Sequence, residues 1–129
     1  MPNGADPHVQ RIFLVEDSPV IRDSLIDALD DIDCGRRVVG TADSENEALE
    51  RIAESDADVA IIDINLREGS GIGVLSRLAL LQEAPSVRIV YTNHYSKRVL
   101  EQCERLGATH VLSKGGDLKE LLGVLASEH

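Results

Sequence analysis

The chain has 129 residues, 43% of them hydrophobic and 28% charged, a size and balance that exclude a disordered chain and leave room for one soluble domain rather than two. A net charge of −10 excludes a nucleic-acid surface, because such surfaces draw their affinity from Lys and Arg. No apolar run approaches the roughly 20 residues that cross a membrane, and the two cysteines, Cys34 and Cys103, lie far apart, which points to packing thiols in a reducing cytoplasm.

Residues 1–9 (MPNGADPHV) combine prolines, glycine and polar residues and are expected to form a flexible tail, leaving residues 10–129 as the folded domain. From about Arg11 onward, short apolar and β-branched runs alternate with longer segments of helical period. The first strand is expected over Ile12 to Glu16, followed by a helix introduced by Ser18 and Pro19, with Ile21, Leu25, Ala28 and Leu29 on its apolar stripe. A second strand, Arg37 to Thr41, precedes a helix whose capping box is Ser44 with Glu47 and whose stripe holds Leu49 and Ile52. The third pair is Val59 to Asp63 with a helix carrying Leu75, Leu78 and Ala79; the fourth is Val87 to Tyr91 with a helix capped by Ser96 and lined by Val99, Cys103 and Leu106. Thr109 to Ser113 and the series Leu118, Leu121, Leu122 and Leu125 close the chain. Gly35, Gly107 and Gly115 mark turns.

Strands that are nearly continuous in apolar residues are buried on both faces, as in parallel sheets. Strict βα alternation therefore gives an α/β fold, a doubly wound (βα)5 sheet with helices on both faces. Such sheets bind ligands beyond the carboxyl ends of their strands. Those ends carry Glu16 and Asp17, Asp63, Thr92 and Lys114. Three carboxylates with a hydroxyl and a lysine suit a hard divalent cation and a phosphoryl group. Each residue alone has a plainer use: the acidic pair as a helix N-terminal charge, Asp63 as a turn residue, Thr92 as a helix-start hydroxyl, Lys114 as a solvated cation.

Taken in order, the segments FLVEDSPVIRDSL, VAIIDINL, IVYTN and THVLSK resemble the receiver domains of two-component response regulators, over nearly the whole chain after the tail. The resemblance implies a flavodoxin-like sheet of order 2-1-3-4-5 and a role as phosphoacceptor rather than dedicated enzyme. By it, Asp63 would take a phosphoryl group from a phosphohistidine on a sensor histidine kinase or histidine phosphotransfer protein. Mg²⁺ (or Mn²⁺) would be held by Asp17, by Glu16 through water, by Asp63 and by the backbone carbonyl of Asn65. Lys114 would pair with Asp63 and then with the phosphoryl group, and Thr92 would hydrogen-bond a phosphoryl oxygen.

In the family an aromatic side chain near the last strand follows the threonine inward. The positions three and four residues before Lys114 hold Val111 and His110, so His110 is the side chain left to stand in as a switch with Thr92. Other departures are Asn93 after the threonine, Arg67 where proline is frequent, and Gly115 after the lysine, where a trans bond is expected. With the chain ending at His129, output is expected through protein contact, to a downstream partner or a homodimer, at the fourth helix, fifth strand and fifth helix, with Tyr95, Lys97 and Arg98 near the contact.

Three rival readings are weaker. A dinucleotide enzyme wants GxGxxG where this chain has Glu16 to Pro19; a phosphatase with an aspartate nucleophile wants a second acid where Asn65 stands; and Gly69, Ser70, Gly71 and Gly73 lack the Gly-Lys-Ser/Thr of a phosphate loop. A phosphorylation-independent interaction module on the same fold is the stronger alternative.

Overall fold

The computed structural model describes residues 9–115 and 118–129. The expected tail, residues 1–9, therefore lies outside the described residues except for Val9. Five parallel strands, β1 (Gln10–Val15), β2 (Arg36–Ala42), β3 (Val59–Ile62), β4 (Val87–Thr92) and β5 (His110–Ser113), form one sheet in the order β2-β1-β3-β4-β5. Five helices alternate with them: α1 (Pro19–Leu29), α2 (Glu45–Glu54), α3 (Gly71–Leu78), α4 (Lys97–Arg105) and α5 (Lys119–Ser127). The expected doubly wound fold is thus present, with one addition, a 3₁₀ turn over Ile32–Cys34 before β2.

Successive strand residues point to opposite faces, and both faces are covered. Phe13, Val15, Ala60, Ile62, Val90 and Val111 pack against α2, α3 and α4. Ile12, Leu14, Ile61, Ile89, Tyr91 and Leu112 pack against Leu25 and Leu29 of α1 and Leu121 and Leu125 of α5. Both-face burial fails in one strand: β2 is mostly half-buried and Arg37 is exposed. The strand order makes β2 an edge, and among the described residues no strand pairs beyond it.

The serine caps hold the helix starts. Ser18 Oγ accepts from the Ile21 N–H with Pro19 in the first turn, and Ser96 Oγ accepts from the Val99 N–H. Ser44 Oγ accepts from the Glu47 N–H, while Glu47 Oε1 accepts from the Asp43 N–H rather than from the cap residue itself. Ser70 caps α3 in the same way, accepting from the Gly73 N–H at 3.0 Å. Ala79, expected on the α3 stripe, is exposed because the helix ends at Leu78; Val74 takes its place in the core.

Strand order also creates the site. From β1 the chain goes outward to β2, then returns past β1 to β3 and onward to β4 and β5. The loops leaving the neighbouring strands β1 and β3 therefore part to opposite sides, and a crevice opens between them at the carboxyl edge.

Candidate functional site at the carboxyl edge of the sheet

Val15 and Ile62 stand side by side in the β1–β3 register, and the Asp63 N–H continues the ladder to the Val15 carbonyl at 3.0 Å. Glu16 extends β1 in the same manner, its N–H donating to the Ala42 carbonyl at 3.0 Å, and the Lys114 N–H donates to the Thr92 carbonyl at 2.9 Å. The sheet's own hydrogen bonds thus bring Glu16, Asp63, Thr92 and Lys114 to one edge.

Their side chains converge. Lys114, only 7% exposed, donates from Nζ to Asp63 Oδ2 at 2.8 Å and to Glu16 Oε1. Glu16, 2% exposed, uses its other oxygen to accept from the Ser18 N–H at 3.2 Å. Asp63 Oδ1 lies 3.4 Å from the Asn65 N–H, and Asp17 joins at the half-buried rim, its carbonyl accepting from Arg67 Nη2 at 3.5 Å. Oxygens of Glu16, Asp17 and Asp63 lie within 4.8 Å of one another. Burial alone would lower the Lys114 pKa, but donation to Asp63 and Glu16 and the attraction of their charges outweigh it and raise it.

One ammonium stands among three carboxylates. All the donors are oxygens. This set fits a hard divalent cation, which takes oxygen ligands and offsets clustered carboxylates.

Thr92 is fully buried, and its Oγ1 accepts from the His94 N–H at 3.1 Å. His110 does not join the group. It alternates with Val111, so it shares the sheet face of Leu112 and Tyr91, whereas Val90 and Val111 lie on the face of Thr92. His110 Nδ1 sits 3.1 Å from Thr109 Oγ1, and the ring is half-buried. The Asn93, His94, Tyr95, Lys97 and Arg98 side chains are exposed around the start of α4. All described peptide bonds are trans, the bond after Lys114 included.

The carboxyl edge thus carries a cluster of three carboxylates around one buried lysine side chain, with a buried hydroxyl alongside. A family model, the response regulator receiver domain, matches residues 12–126. The chain belongs to the receiver-domain family of two-component response regulators. Among its relatives, the DNA-binding transcriptional activator DevR/DosR of Mycobacterium tuberculosis is 33% identical over 105 residues, covering 81% of this chain and 47% of that protein. Protein-glutamate methylesterase/protein-glutamine glutaminase 5 of Myxococcus xanthus is 32% identical over 104 residues, covering 81% of this chain and 30% of that protein. The receiver domain therefore spans about half or less of these curated relatives. Among solved structures, the signal receiver domain of the response regulator NarL from Mycobacterium tuberculosis superposes with a TM-score of 0.83 at 26% identity, covering 94% of this chain and 96% of that one. Among the described residues, no helix is long and apolar enough to cross a membrane.

Two features of this receiver domain were missed from sequence. Tyr91, 6% exposed, presents its ring 6.0 Å from Lys114 Nζ and lines a groove of about 290 Å³ with Val20, Ile21, Ser24 and Leu118. Its signal was the aromatic residue directly before Thr92. The second is Gly71, where a Cβ would lie 2.2 Å from the Asp63 carbonyl oxygen. Gly71→Ala is therefore expected to push Asp63 or α3 aside, at a cost of about 2 kcal/mol typical of overpacking. Urea denaturation measures the loss, and a shifted Asp63 backbone resonance locates it.

Proposed function

We propose that this receiver domain is the phosphoacceptor switch of a two-component phosphorelay, with Asp63 as the acceptor. The observation that carries the reading is the Asp63 carboxylate held between the Lys114 ammonium and the carboxylates of Glu16 and Asp17. An Asp63 oxygen attacks the phosphorus of a phosphohistidine; the phosphorus–nitrogen bond breaks and its electron pair returns to the imidazole, leaving an aspartyl phosphate. Asp17, Glu16 through water, Asp63 and the Asn65 carbonyl are the groups that would hold Mg²⁺, or Mn²⁺ in its place. The bound cation supplies positive charge that offsets repulsion between the carboxylate and the phosphoryl oxygens.

The remaining work falls to the chain's own groups. Lys114 already faces Asp63, and a compact ammonium can follow charge from the carboxylate to the phosphoryl oxygens. The Thr92 oxygen accepts from His94, which leaves its hydroxyl proton to donate to a phosphoryl oxygen. Turning Thr92 toward that oxygen would loosen the His94 N–H and so the segment leading into α4, a two-state shift. The donor would be a sensor histidine kinase or histidine phosphotransfer protein in the cytoplasm. Output would pass by protein contact, to a downstream partner or a second copy, across α4, β5 and α5.

A second reading, a receiver-fold interaction module that works without phosphorylation, is favoured by one observation. His110 stands on the sheet face opposite Thr92 and Val111 is aliphatic, so the aromatic follower expected of the switch has no side chain here. The test that separates the readings is intact-mass spectrometry of the protein after incubation with acetyl phosphate and Mg²⁺. One added phosphoryl group, suppressed by EDTA, is expected; a wild-type protein that gains no mass refutes the phosphoacceptor and leaves the module.

A further inference from the structure

The glycine-rich stretch after Asp63 is no phosphate loop, and its contacts point to another use. The segment between β3 and α3 is closed on itself: the Gly71 N–H donates to the Ile64 carbonyl at 2.7 Å, and Asn65 pairs with Ser70 in an antiparallel bridge. It is also fastened to α2. Ser44 pairs with Glu68, and the Glu45 N–H donates to the Glu68 carbonyl at 3.1 Å. The Glu45 side chain completes the attachment, Oε1 accepting from the Ser70 N–H at 3.0 Å and Oε2 facing Arg77 Nη1 at 3.3 Å.

The glycines make room for that carboxylate. A Cβ on Gly73 would lie 2.2 Å from Glu45 Oε1, and one on Gly69, whose φ is +79°, would lie 2.4 Å from Glu45 Cβ. A segment rich in glycine is compliant when nothing fastens it. The Arg77 contact is a half-exposed ion pair and contributes little. Of the two Glu45 side-chain contacts, the one to the Ser70 N–H is the one that adds to the main-chain fastening of the loop.

We propose that Glu45 is a positioning residue for the cation and acceptor site: by holding Ser70 it fixes the loop that carries Asn65 and the main chain of Asp63 against Glu16 and Asp17, which follow β1 directly. This rests on the reading of the acidic cluster as a cation site. Glu45 stands outside the cluster of Glu16, Asp17 and Asp63, so the proposed effect passes through loop position. Charge and reach can therefore be separated. Glu45→Gln removes the charge and keeps an oxygen that can accept from Ser70; Glu45→Asp keeps the charge and draws it back by one methylene.

Calorimetric titration with Mg²⁺, without phosphodonor, together with hydrogen exchange at the Ser70 amide, decides the matter. Glu45→Gln is expected to match wild type in both. Glu45→Asp is expected to bind Mg²⁺ about tenfold more weakly, as when a partner that orients a metal ligand is lost, and to exchange the Ser70 amide faster. Glu45→Asp binding as tightly as wild type overturns the proposal, and so does Glu45→Gln binding as weakly as Glu45→Asp, which would make the effect one of charge. A wild-type protein that binds no Mg²⁺ overturns instead the reading of the acidic cluster, and the role of Glu45 with it.

Discussion

Asp63→Ala is expected to gain no mass from acetyl phosphate and Mg²⁺, yet to unfold within about 1 kcal/mol of the wild type. The loss of acceptance follows from what the other carboxylates are doing. Both Glu16 oxygens are engaged, one by Lys114 and one by the Ser18 N–H, and the side chain is buried. Asp17 sits at the rim without the lysine contact that Asp63 has. Neither can take over the attack from where it stands. Stability holds because Lys114 keeps Glu16 as its partner, while removing one of three clustered carboxylates relieves repulsion that offsets the lost Lys114–Asp63 contact. Intact mass and urea denaturation measure the two effects. An adduct of wild-type extent on the variant would move the acceptor to another residue.

Much of this arrangement was legible in the sequence because parallel strands with both faces buried write themselves as unbroken apolar runs. Val59 to Ile62 is such a run, and the first polar residue beyond it, Asp63, falls at the carboxyl edge by necessity. The same rule located Glu16, the end of the fifth strand candidate at Ser113 placed Lys114 next to it, and serines before apolar stripes marked the helix starts. What escaped depends on elements that meet only in three dimensions. The exposure of β2 follows from its place at the sheet edge, which no local pattern encodes. Which sheet face His110 takes is likewise set by the pairing of β5 with β4, which puts it opposite Thr92. Nothing local singles out Glu45 in the first turn of α2, and the glycines that make room for it lie more than twenty residues away, on another helix and its approach loop.

Lys114→Met is expected to do what Asp63→Ala does not: to lower stability by about 3 kcal/mol at neutral pH without Mg²⁺, because breaking a buried ion pair from one side leaves its partners uncompensated. Methionine keeps the apolar stem beside Tyr91, so the missing charge dominates the change. Glu16 and Asp63 would then face each other, both buried, with no cation between them. Added Mg²⁺ should narrow the gap, since a ligand of the native state stabilises it by mass action. Phosphoryl acceptance should slow by about a hundredfold, the scale of one lost charge-stabilising donor. The alkaline limb supplies an independent check. The folded-state pKa of Lys114 lies above its ordinary 10.5, because its bonds to the two carboxylates outweigh its burial. Its contribution is fully present below 10.5 and is lost as pH rises from there through the raised folded value. The stability difference between wild type and Lys114→Met should therefore shrink across that window, measured by urea denaturation at successive pH values. A difference that stays constant would mean that Lys114 stabilises the site by packing, and that the carboxylates do not depend on its charge.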